Sequence, residues 1–93
     1  MNHTPAVLIS EVGPRDGLQS VKAVMSTADK FRWIDALVAS GLREIEVCSF
    51  VPAKYLPQMA DAADVVRHLL TYQEVTAMAL VPSMRGAESA LRA

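Results

Sequence analysis

The sequence offers little that would tie it to an oxidising compartment, a bilayer or a nucleic acid. It has one cysteine, Cys48, which excludes an internal disulfide framework and provides no metal-ligand spacing. No apolar run approaches the roughly 20 residues of a membrane-spanning helix. The opening stretch MNHTPAVLIS has no cationic segment ahead of an apolar one, so neither a signal peptide nor a transit peptide is expected. Nine basic and ten acidic residues leave a net charge of −1 and are spread without blocks, so neither nucleic acid nor a membrane surface is expected as a partner. These absences describe a soluble, cytoplasmic protein.

What the sequence does have is apolar residues. They make up 52% of its 93 positions, and the mean hydropathy is +0.23. A chain this short buries only about 60–65% of the surface its unfolded form exposes, so that content is high. Either a partner covers the excess, or the chain is a piece of a larger fold.

The hydrophobic period changes regularly along the chain. Ala6–Val12 (AVLISEV) is short and mostly apolar, as in a strand buried on both faces, and a loop follows through Lys22. In STADKFRWIDALVASG, Ser26 or Thr27 can cap a helix with Asp29 in its first turn. Phe31, Ile34 and Val38, with Leu37 beside them, form its apolar stripe, and Gly41 suits the position after its end. Arg43–Ser49 (REIEVCS) reads as a second strand, and FVPAKYLPQ, broken by Pro52 and Pro57, as loop. Met59, Ala63, Val66 and Leu70 mark one face of a second helix. Glu74–Val81 (EVTAMALV) reads as a third strand, and Ser83 can cap a third helix, MRGAESALRA.

This β-α-β-α-β-α order implies parallel strands. An open doubly wound sheet and a (β/α)8 TIM barrel share the pattern. A nucleotide-binding sheet calls for a glycine-rich phosphate loop after its first strand, and GPRDGLQ fits neither phosphate-loop signature. The barrel is therefore expected: an α/β fold of which the chain holds the first three βα units. Residues 1–93 would be the N-terminal part of one barrel domain, with no internal boundary. Three units alone leave exposed strand edges, and a barrel needs about 250 residues.

In a barrel, reactive side chains come from the C-terminal ends of strands and the loops after them. Arg15-Asp16 after the first strand and Glu46 in the second meet that placement. A carboxylate there suits a hard cation such as Mg²⁺ or Mn²⁺, and a guanidinium offers a planar fork to a carboxylate or an enolate-like oxygen. Gly13 and Gly17 would let the backbone bend and a ligand approach. By composition alone, the stretch also reads as a Pro-Asp-Gly turn with an exposed arginine. Alternation puts Glu46 on the face opposite Ile45 and Val47. Inside a barrel that carboxylate needs a cationic partner, and Arg15 is the nearest by topology. The two side chains are expected within salt-bridge reach, the alternative being Glu46 as an edge-strand surface residue.

The runs EVGPRDGLQ, STADK, EVCSFVPAKYLPQM and ALVPSMRG together resemble the N-terminal portion of the 3-hydroxy-3-methylglutaryl-CoA lyase family, over nearly the whole chain from about Val7. Barrel enzymes that condense acetyl-CoA with 2-oxo acids carry a similar Arg-Asp-Gly but lack the SFVxxKxxPQM continuation. The resemblance implies a divalent-metal-dependent retro-Claisen cleavage of 3-hydroxy-3-methylglutaryl-CoA to acetyl-CoA and acetoacetate. It implies Asp16 as a ligand to Mg²⁺ or Mn²⁺, and Arg15 as the arginine on the acyl-CoA carbonyl that stabilises the enolate. Glu46 would be a catalytic glutamate that orients Arg15, and Gln19 would lie at the substrate. Lys54 and Pro57-Gln58-Met59 match a second loop and are read as structural.

The remaining metal ligands and the acid of the family lie on later strands, so these 93 residues alone are expected to be inactive. Cys48 is not that acid; it is read as a small buried side chain. His3 and His68, the latter on the polar side of the second helix, are given no chemical role. Trp33 and Tyr55 are read as packing at helix and loop surfaces. An acyl-CoA substrate is the implied partner, and a homo-oligomeric full-length protein is compatible with the resemblance. Two other readings stay open: a sister lyase for another 3-hydroxyacyl-CoA, or a non-catalytic fragment that binds a partner through its open sheet edges.

Overall fold

The computed structural model describes residues 7–93; Ala6 and His3, named above, lie outside the described residues. Three strands, β1 (Ser10–Glu11), β2 (Glu44–Ser49) and β3 (Thr76–Leu80), form one sheet in the order β1-β2-β3. Both pairings are parallel. The helices α1 (Thr27–Ala39), α2 (Ala62–Leu69) and α3 (Met84–Arg92) follow the strands in turn.

The starts of α1 and α3 are written locally, whereas α2 begins at Asp61 without a side-chain cap. The Ser26 hydroxyl accepts the Asp29 amide at 3.1 Å, and the Ser83 hydroxyl accepts that of Gly86 at 3.1 Å, satisfying donors that have no partner within the helix. After α1, Gly41 takes a left-handed φ of 102°, which ends the helix where expected.

The core lies on one side of the sheet. Ile34 and Val38 of α1, Val65 and Leu69 of α2, and Ile45, Val47 and Cys48 of β2 form a single buried cluster. α1 and α2 also touch each other, so both lie on the Ile45 face. A doubly wound sheet would divide its helices between two faces. Helices on one face leave the other to line the inside of a ring, as in a barrel. On that inner face Met78 and Leu80 of β3 remain exposed.

Several expectations differ in detail. The first strand is paired over Ser10–Glu11 only, its register with β2 running Ser10↔Glu44 and Glu11↔Ile45. The loop expected after it is a wound π-helical turn, Gly13–Gly17. The buried face of α2 is Ala62, Val65 and Leu69, whereas Leu70 is 56% exposed. The Pro57–Met59 segment is a separate 3-10 turn. Residues advance by about 120° there rather than 100°, so a stripe counted from Met59 runs out of phase with α2.

Lys30 lies outside the expected apolar stripe of α1, yet it is buried beside Ile34 and Val38. Its ammonium donates to the Gln58 carbonyl and lies 2.6 Å from Asp61 Oδ1. The Thr27 hydroxyl donates to the other Asp61 oxygen at 2.7 Å. His68, expected on the polar side of α2, instead stacks on Phe31 with ring centroids 4.1 Å apart. Its Nε2 is 2.7 Å from Asp35 Oδ1. No helix among the described residues is long and apolar enough to cross a membrane.

Candidate active site

The turn after β1 is wound around one carbonyl. The amides of Arg15 and Asp16 both donate to Val12 O, at 3.1 and 2.7 Å, which brings the two charged side chains out side by side. Pro14 is buried beneath them. The Gly13 amide donates to Glu11 Oε1 at 3.0 Å, and a Cβ on Gly13 would lie 2.9 Å from Trp33 Cζ2. Glycine is what lets α1 approach this closely. A Cβ on Gly17 would meet open space, so the turn stays uncrowded on its outer side.

Arg15 reaches back over the sheet, and its Nε pairs with Glu46 Oε1 of β2. Both side chains are 18% exposed, so the pair is largely withdrawn from water and each charge relies on the other. This is the contact expected from topology, and Glu46 points to the inner face, not among the helices. The Arg15 Nη1 lies 3.3 Å from Asp16 Oδ1, and Asp16 is 62% exposed. One guanidinium thus spans two carboxylates, one held by the sheet and one open.

Gln19 stands one turn further on. Its Oε1 accepts the hydroxyl of Ser49, the last residue of β2, at 3.1 Å. Sequence reasoning missed Ser49, although a serine at the C-terminal end of a barrel strand is a signal in itself. The segment behind Gln19 is tied down by Gln58, whose Nε2 donates to Val21 O at 2.6 Å. Gln58 and Met59 are buried, in keeping with a structural second loop. Lys54 lies over the exposed Tyr55 ring at 4.8 Å, away from the charged cluster. A cleft of about 360 Å³ opens between Phe50–Pro52 and the first turn of α3, but none of Arg15, Asp16, Gln19 or Glu46 lines it.

Cys48 faces the core. Burial pushes its thiol up to about 12, the Asp61 and Glu46 carboxylates add to the shift, and Lys30 opposes it. A thiol so held is neither nucleophile nor acid near neutrality. Among the described residues no group of three or more His, Cys, Asp or Glu side chains could hold a metal ion. Asp16, accessible and hard, can supply a single oxygen donor.

The HMGL-like family model matches residues 6–93. The chain belongs to that family. It is 46% identical over 91 residues to the hydroxymethylglutaryl-CoA lyase YngG of Bacillus subtilis, covering 98% of this chain and 30% of the relative. It is 48% identical over 91 residues to a 3-hydroxy-3-isohexenylglutaryl-CoA/hydroxymethylglutaryl-CoA lyase of Pseudomonas aeruginosa, again covering 98% and 30%. The crystal structure of a hydroxymethylglutaryl-CoA lyase from Pseudomonas aeruginosa superposes with a TM-score of 0.87 at 49% identity, over 92% of this chain and 29% of that one. The chain thus spans about 30% of the length of the relatives it matches, and its three βα units are the N-terminal portion of an HMGL-like TIM barrel.

Proposed function

We propose that the full-length protein cleaves 3-hydroxy-3-methylglutaryl-CoA to acetyl-CoA and acetoacetate by a divalent-metal-dependent retro-Claisen reaction. The observation that supports this best is the Arg15–Glu46 ion pair with Asp16 beside it, in a chain whose relatives carry that activity in their names. In the reaction the tertiary hydroxyl loses its proton to a base and becomes the ketone of acetoacetate. The bond between C2 and C3 breaks, and its electron pair passes into the thioester enolate. An acid then protonates C2 to give acetyl-CoA.

Arg15 is the group we assign to the enolate. A fixed guanidinium aimed at an oxygen that gains charge only as the bond breaks favours the transition state over the substrate. Glu46 holds Nε and so fixes the plane of the fork, and Nη2, which neither carboxylate engages, is left to face the acyl group. Gln19 is assigned to a substrate oxygen. Asp16 would hold a Mg²⁺ or Mn²⁺ ion as one oxygen ligand, the others coming from outside the described residues. Such an ion, when bound, makes a coordinated hydroxyl more acidic. With Asp16 as a lone ligand, the 93 residues by themselves are expected to be inactive.

The test is cleavage by the full-length protein of a small panel of 3-hydroxyacyl-CoA thioesters, with and without EDTA. Acetyl-CoA release that EDTA abolishes and Mg²⁺ or Mn²⁺ restores is the expected result, and no cleavage of any thioester refutes the proposal. Preference for a bulkier chain would favour the sister-lyase reading, which the two-substrate name of the Pseudomonas aeruginosa relative keeps in play.

A further inference from the structure

β2 does not keep strict alternation. Its pairing with β3 slips between Glu46 and Cys48, so that Glu46 lies beside Met78 and Ser49 beside Leu80. Met78 and Leu80 are two apart and share a face of β3. Ser49 therefore shares a face with Glu46, although the two are three apart, and the bulge is what turns it there. With regular pairing Ser49 would follow Ile45 and Val47 into the helix-side core. On the inner face its side chain is fully buried, and its hydroxyl donates to Gln19 Oε1 at 3.1 Å.

That bond decides which end of the Gln19 carboxamide is free. Oε1 is taken by Ser49, while Nε2 makes no hydrogen bond among the described residues. We propose that Ser49 is a positioning residue for thioester cleavage: it holds Gln19 so that the carboxamide N–H is presented to an oxygen of the bound 3-hydroxyacyl chain. This rests on the lyase reading of the Arg15–Glu46 site. A neutral donor beside a charged pair recognises an oxygen without disturbing the charge balance that Arg15 and Glu46 set. The ladder irregularity in β2 is then part of the site, because it delivers Ser49 to the face on which Glu46 stands.

The experiment is a double-mutant cycle in the full-length protein, reading kcat and KM for 3-hydroxy-3-methylglutaryl-CoA beside the thermal stability of each variant. Ser49→Ala is expected to lower kcat/KM about five- to tenfold, the scale of one neutral hydrogen bond. Ser49→Thr, which keeps the hydroxyl, should recover part of the loss. Gln19→Ala should cost more, and the double variant no more than Gln19→Ala alone. Gln19→Glu can still accept from Ser49 but cannot donate, so it should be as impaired as Gln19→Ala; this variant reads the assignment even if Ser49→Ala folds poorly. Wild-type kcat/KM in Ser49→Ala, multiplicative losses in the double variant, or near-normal Gln19→Glu would each overturn the assignment. A wild-type protein that cleaves no thioester would instead fail the lyase reading itself.

Discussion

The Arg15 guanidinium meets the Glu46 carboxylate across the junction of β1 and β2, each side chain 18% exposed, while its other edge touches the open Asp16. A lysine at position 15 would keep the charge but lose the planar fork that serves two partners at once. Arg15→Lys is therefore expected to lower kcat of the full-length protein by about 10²–10³-fold, the scale for removing one preorganised donor from a developing oxyanion. Glu46→Gln should lower kcat less, since an amide still accepts from Nε. Steady-state kinetics near wild type for Arg15→Lys would remove the proposed role.

Cys48 should be chemically silent. With its thiol pushed up to about 12 by burial, the thiolate fraction at pH 8 is about 10⁻⁴. Alkylation by iodoacetamide, followed by mass mapping of the peptide that carries Cys48, should proceed at least ~10²-fold more slowly in the native protein than in urea. Comparable rates in the two states would place the thiol at the surface.

The buried Lys30 is the next case. It is 4% exposed, and Asp61, its partner, is 17% exposed. Removing the cation strands the Asp61 carboxylate and leaves the Gln58 carbonyl without its donor. Lys30→Met should cost about 3–5 kcal/mol, as for other half-broken buried pairs. Lys30→Met with Asp61→Leu should be less destabilised than either change predicts by addition. Urea denaturation of the single and double variants checks both, and strict additivity would show that the two groups do not depend on one another.

These residues also mark where the sequence was legible. The alternation of periods named the three strands and three α-helices, and the Ser26, Gly41 and Ser83 signals set both ends of α1 and the start of α3, because capping is a local matter of one side chain and one amide. Glu46 was legible for the same reason: a carboxylate between Ile45 and Val47 obeys a period of two. Ser49 was not, because the bulge that reorients it is a property of backbone pairing with β3, and strict alternation sends it to the wrong face. Lys30 sits in register with Ile34 and Val38, but hydrophobicity alone does not count a lysine as core; its partners Asp61 and Gln58 come from another element. The phase error in α2 has a similar origin, since a 3-10 turn before a helix resets the angular count.

Asp35 gives a pH-dependent prediction. Its carboxyl is held below its ordinary value of 3.8, first by the Tyr72 hydroxyl and then by His68, with burial opposing. The Tyr72 hydroxyl donates to Asp35 Oδ1 at 2.6 Å, and His68 Nε2 meets the same oxygen. A carboxyl lowered by folding stabilises the native state above its unfolded pKa and ceases to do so as pH falls through the folded one. Asp35→Asn should therefore lower stability near neutrality, and its gap from wild type should close between about pH 5 and pH 2. Because Asp35 is 45% exposed, solvent screening keeps the effect below about 1 kcal/mol. Tyr72→Phe should follow the same course, since it removes the largest cause of the shift. Urea midpoints for the three proteins over this pH range are the measurement, and a gap that stays constant with pH would mean that the Asp35 carboxylate contributes nothing through its charge.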